Sequence, residues 1–142
     1  MLFRSGEQEV EALRGTTSWS YCVHGDRWEG YEADCLSAVD KAAKELVPVL
    51  KYAPVPSDGK EVTYAFLSFA EAPDRVTVRC WDETAWEEID PYDKGENVSV
   101  REKDLAVPLK ESGTIYEVYA AWDSASLYNG NVYYSFYAVP GE

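Results

Sequence analysis

The stretch TIYEVYAAWDSASLYNGNVYYSFYAV, residues 114–139, decides the fold. Its two halves, TIYEVYAAW (114–122) and NVYYSFYAV (131–139), are dense in tyrosine, valine and phenylalanine and alternate between faces, the period-two signature of a strand. Val118, Ala120, Tyr134 and Phe136 fall on apolar faces and are expected to be buried. Between the halves, DSASLYNG ends in Asn129-Gly130, residues comfortable at positive φ, which predicts an antiparallel hairpin.

The same pattern recurs outward from this hairpin. DRVTVRCW (74–81) places Val76, Val78 and Cys80 on one face and Thr77, Arg79 and Trp81 on the other. TTSWSYCV (16–23) and EVTYAFLSF (61–69) read as further strands, with shorter ones at VEAL, ENVSVR and DLAVPL. Pro108 and Pro140 belong at edges or strand ends, because proline donates no ladder hydrogen bond. Only CLSAVDKAAKELVPVL (35–50) has helical spacing, at Leu36, Val39, Ala43 and Leu46, with Pro48 as a stop, so one short helix is expected within 35–47. KYAPVPSDGKE then reads as a crossover loop. Many short strands with one helix at a crossover predict a mainly antiparallel β-sandwich. At 142 residues the chain is sized for a single domain spanning 1–142, with residues 1–8 expected as a disordered N-terminal extension.

A net charge of −13 opposes nucleic-acid phosphates and anionic lipid surfaces, so neither is an expected partner. No apolar run approaches the roughly 20 residues a spanning helix needs, and MLFRSGEQEVEALRG lacks a signal-peptide core, so no direct membrane insertion is expected within the chain.

The chemistry-bearing residues are few. The only histidine, His24, sits beside Gly25 and Asp26 in SYCVHGDRWEGYEADC (20–35), and no G-x-S-x-G elbow is present, so a nucleophilic triad is not expected. Cys22, His24 and Cys35 lack the C-x-x-C knuckle of most structural zinc sites. In DPYDKGENVSVR (90–101), Asp90 and Gly95 match positions of a calcium loop, but Tyr92, Lys94 and Arg101 occupy ligand positions. No metal and no cofactor are therefore expected. If HGDRWEG is a turn, Cys22 and Cys35 can meet across it as a disulfide; the alternative is three reduced, buried cysteines, and Cys80 is expected in the core.

SWSY with its following turn and EADC, PDRVTVRCWDE, and IYEVYAAWD with GNVYYSFYAV together resemble a β-sandwich module of Gram-positive gut bacterial lipoproteins. The same module is found in the extracytoplasmic C-terminal region of membrane regulators similar to the β-lactam-sensing peptidase regulators. The resemblance covers most of the chain and implies an immunoglobulin-like sandwich in an extracytoplasmic, cell-surface setting, within a longer or lipid-anchored protein. It carries no catalytic residues onto this sequence.

The resulting expectation is a non-enzymatic accessory or interaction domain for a protein or glycan ligand. Carbohydrate binding through exposed tryptophan and tyrosine is the alternative, and a small carboxylate-dependent hydrolase stands behind it. The segment CWDETAWEEIDPYD (80–93) is the candidate site. There Trp81 and Trp86 are placed to stack on a ligand, with Asp82, Glu83, Glu87, Glu88 and Tyr92 beside them as polar partners. The competing reading buries Trp81 on a neighbouring strand and uses Trp86 to cap the sandwich edge.

Overall fold

The computed structural model describes residues 1–5, 8–24, 27–33, 46–52, 63–69, 72–87, 95–110, 112–122 and 128–140, with the backbone alone at 8, 15–16, 19–24, 27–33, 52 and 128. Eleven strands lie among these residues: β1 (Leu2–Ser5), β2 (Gln8–Glu11), β3 (Leu13–His24), β4 (Arg27–Ala33), β5 (Val49–Tyr52), β6 (Tyr64–Ser68), β7 (Arg75–Asp82), β8 (Glu96–Val98), β9 (Ala106–Pro108), β10 (Thr114–Trp122) and β11 (Tyr128–Pro140). One sheet has the order β2-β1-β6-β9 and the other β4-β3-β11-β10-β7-β8, with β5 alongside β11. Every pairing is antiparallel except β5 with β11, where Tyr137 to Pro140 run parallel to Val49 to Tyr52.

The segment 114–139 forms the centre of the larger sheet. β10 and β11 pair from Thr114↔Ala138 to Trp122↔Gly130, and β10 takes β7 on its other side. With strands on both flanks, β10 satisfies its backbone groups within the sheet and buries most of its side chains. Asn129-Gly130 is not the turn of this hairpin: both residues lie inside β11, with Gly130 opposite Trp122 and Trp19, and the connection falls at 123–127, outside the described residues.

Alternation then assembles the core. Val78, Cys80, Tyr116, Val118, Phe136 and Ala138 from the larger sheet meet Phe3, Ala65, Leu67 and Val107 from the smaller one. Phe3 stacks on Phe136 with ring centroids 4.1 Å apart, and Phe136 on Tyr116 at 5.1 Å, so a file of three rings joins the sheets face to face. The two sheets make a β-sandwich. The hydroxyl of fully buried Tyr116 accepts a 2.9 Å hydrogen bond from the Lys110 backbone N–H, which offsets the cost of taking that oxygen out of water. Ala120, Val118 and Phe136 are fully buried, as the alternation predicts, whereas Tyr134 and Val76 are half-buried.

Several expectations are corrected. Of the N-terminal residues 1–8, Leu2–Ser5 form β1, which pairs with β2 and β6 and buries Phe3 completely, while residues 6 and 7 lie outside the described residues. HGDRWEG is not a turn throughout: Arg27 onward forms β4, and Cys22 stands opposite Trp28 in the β3–β4 register. Cys35 lies outside the described residues, as do the side chains of Cys22 and His24. The helix expected within 35–47 falls mostly on 34–45, also outside them. At its end Leu46 is in a turn and Val47 in a bend rather than in a helix, and β5 begins at Val49, just past the expected stop at Pro48. Pro108 ends β9, at the edge of the smaller sheet, and Pro140 ends β11. No helix among the described residues is long and apolar enough to cross a membrane.

Candidate functional site

The outward face of the larger sheet carries a second, smaller apolar cluster. In the registers Ile115↔Trp81 and Ile115↔Tyr137, three outward side chains stand in one row across β7, β10 and β11. Left open to water, this row would expose two large rings, and the chain covers it by turning back on itself. β7 ends at Asp82, whose backbone is extended (φ −62°, ψ 150°) and whose carboxylate accepts a 3.0 Å hydrogen bond from the Thr84 backbone N–H. That cap opens a single 3-10 turn over Glu83–Trp86, closed by the Glu87 N–H donating to the Thr84 carbonyl at 3.0 Å. The turn sets Trp86 over the row, where it packs with Val47, Trp81 and Ile115. Trp86 meets the Tyr137 ring edge-on at 5.1 Å.

Trp81 and Trp86 are 7% and 4% exposed, so neither offers a free indole face to a ligand. Their burial follows the competing reading, with Trp81 against neighbouring strands and Trp86 as the cover. Gly95 explains how closely Trp81 is enclosed. Its φ of +72° suits glycine, and a Cβ there would lie 2.6 Å from Trp81 Cε2 and 2.8 Å from the Cys80 carbonyl oxygen.

Beside this cluster lies a cleft of about 300 Å³, lined by Val49, Glu83, Thr84, Trp86, Glu87 and Tyr137. Tyr137 donates its hydroxyl hydrogen bond to the Glu83 carboxylate, tying the turn to β11. Gly113, just before β10, presses its backbone against both groups. Glu87 is exposed, and Val49 and nearby Leu46 are exposed apolar side chains at 46% and 58%. The cleft thus sets two carboxylates and two aromatic edges next to an apolar rim.

Of the residues singled out in the sequence, Glu83, Trp86 and Glu87 come together in the cleft. Trp81 lies beneath it in the packed row. Asp82 serves as the cap, and the Thr84 backbone hydrogen bond is the main cause holding its carboxyl below the usual range, helped by the Thr84 side chain. Tyr92 and Glu88 are outside the described residues. Val49, Thr84 and Tyr137 were not singled out. Tyr137 had a legible signal, since it alternates with the core-facing Phe136 and Ala138 and must point outward. Val49 had none, because its place depends on a parallel pairing across the sheet.

Among the described residues no group of three His, Cys, Asp or Glu side chains gathers as a metal site. Cys80 is buried and free, and burial, above all other causes, pushes its thiol pKa up. Comparison with protein-family models, curated proteins and solved structures returns no match.

Proposed function

We propose that the protein is a non-enzymatic, extracytoplasmic interaction domain with an immunoglobulin-like sandwich and a short crossover helix. On this reading it is displayed at the cell surface by a longer or lipid-anchored parent, as in the lipoprotein and regulator modules it resembles. Its contact surface is the cleft at Glu83–Glu87, and its ligand is a basic segment of a partner protein. The observation that carries this is the lining itself. Glu83 and Glu87 supply charge for a lysine or arginine head, while Val49 and the edge of Tyr137 supply apolar surface for its stem. The chain's charge of −13 steers such a ligand inward.

A hydrolase is less well supported. A carboxylate acting as general acid needs a raised pKa, but the Asp82 carboxyl is lowered by its cap hydrogen bonds. Glu83 is engaged by Tyr137. Stacking of a sugar on Trp81 and Trp86 is disfavoured by their burial.

The test is titration of a labelled peptide library, basic peptides with and without an aromatic residue, read by fluorescence anisotropy. Binding should weaken as salt rises and fall several-fold in Glu87→Gln and in Val49→Ser. Binding indifferent to both substitutions, or none at low salt, would remove this reading.

A further inference from the structure

A second cavity opens on the same outward face, two rows further along β10. Ile115 and Tyr119 are separated by about 14 Å, taking about 3.4 Å per residue in an antiparallel strand. The cavity holds about 240 Å³ and is lined by Thr77 and Arg79 of β7, Glu117 and Tyr119 of β10, and Tyr133 of β11. The registers Glu117↔Arg79, Tyr119↔Thr77 and Tyr119↔Tyr133 put all five on one side, opposite in parity to core-facing Val78, Val118 and Phe136.

Two features distinguish this place from an ordinary solvated sheet face. The Tyr119 and Tyr133 rings stand 5.0 Å apart and 53° to one another, so they form a trough rather than a closed stack. Tyr133 also stands at an irregularity in the sheet. Val132 pairs with Thr17 and Tyr134 with Arg14, so residues 15 and 16 of β3 together oppose Tyr133 alone. Such a bulge twists the strand and re-aims the side chains around it, and bulges are enriched beside functional sites.

The lining also restricts the ligand. Arg79 presents up to five donors in a planar fork, Glu117 presents acceptors, and the Thr77 and tyrosine hydroxyls do both. Burial, more than the neighbouring Glu117 and Tyr119, pushes the Tyr133 pKa up, so its phenol stays protonated and able to donate near neutral pH. An apolar peptide side chain would make no use of the Arg79 fork or of the Thr77 and tyrosine hydroxyls. An anionic ligand would meet the field of a chain with net charge −13. A cation would meet Arg79. A compound carrying many neutral hydroxyls, with a flat C–H face to lie on an aromatic ring, satisfies the whole set.

We infer that the Tyr119–Tyr133 trough binds one sugar ring of a neutral glycan, which stacks on a tyrosine and hydrogen-bonds through its hydroxyls to Arg79 and Glu117. This site is separate from the Glu83–Glu87 cleft and does not depend on its reading.

Calorimetric titration with cellohexaose, xylohexaose, mannohexaose and chitohexaose, with polygalacturonate as the anionic contrast, tests the proposal. At least one neutral hexasaccharide should bind and polygalacturonate should not. Tyr119→Ala should weaken that binding by about tenfold. Glu117→Gln, nearly isosteric, should weaken it several-fold at a temperature where circular dichroism shows the variant to be folded. Binding lost in Glu87→Gln but kept in Glu117→Gln and Tyr119→Ala would place the sugar in the other cleft and overturn the inference. Absence of binding to all four neutral hexasaccharides would also overturn it.

Discussion

The contact among Gly113, Glu83 and Tyr137 gives the sharpest test of how the 3-10 turn is held. A Cβ at residue 113 would fall well inside van der Waals contact of the Glu83 carboxylate and the Tyr137 hydroxyl, and 3.1 Å from Tyr137 Cζ. No positive φ is required at Gly113, so Gly113→Ala carries no backbone strain and on chain entropy alone would stabilise by about 0.4–1 kcal/mol. The steric term opposes this. Glu83 is exposed and can swing away, but the Tyr137 ring is wedged against Trp86 and cannot follow it, so their hydrogen bond breaks. A bond to a charged group is worth about 1.5–3 kcal/mol, and exposure of the carboxylate places this one toward the low end. The net expectation is a loss of about 1 kcal/mol. In a Tyr137→Phe background the hydroxyl and its bond are already gone, and the same alanine should cost almost nothing. Urea unfolding of wild type, both single variants and the double variant, followed by tryptophan fluorescence, measures the coupling, which should be about 1 kcal/mol. Additivity within about 0.3 kcal/mol would show that Tyr137 does not hold the turn.

Phe136→Ala removes the middle ring of the file joining the sheets and should cost about 3–5 kcal/mol in urea unfolding, a large share of a domain's stability. Gly95→Ala combines a left-handed φ with a clash on the immovable Cys80 carbonyl, and should lose about 2–4 kcal/mol while red-shifting tryptophan emission as Trp81 is displaced. Cys80, buried and with its thiol pKa raised, should resist a disulfide-exchange reagent in the native protein and react at once after denaturation. Asp82 has a folded pKa below its ordinary 3.8, so its contribution to stability is full above that value and is lost as pH falls through the lower folded value. Thermal midpoints of wild type should therefore drop more steeply below about pH 4 than those of Asp82→Asn, which keeps a capping oxygen without the titration.

The sequence by itself determined those strands whose side chains alternate strongly enough to need no partner for their recognition. TIYEVYAAW became β10 at its expected bounds, 114–122, and DRVTVRCW became β7 with Val78 and Cys80 inward, as the pattern required. The burial of Phe136 and the outward turn of Tyr137 follow from the same arithmetic of period two. What the tertiary structure decided is where pairing across long sequence separations outweighed local composition. RWEGYEA is polar and glycine-bearing because β4 lies at the edge of its sheet, and it is a strand only because β3 supplies a ladder. LFRS and VLKY are too short for any period to show; one is fixed by β2 and β6, the other by a parallel pairing with the last strand. The candidate site divides in the same way. That an acidic, tryptophan-bearing segment follows β7 is plain from residues 81–88, but whether its indoles face a ligand or the sheet depended on the uncovered row of Trp81, Ile115 and Tyr137. Burying that row against Trp86 takes its apolar surface out of water, so the hydrophobic effect turned the tryptophans inward and left Asp82, Glu83 and Glu87 at the surface.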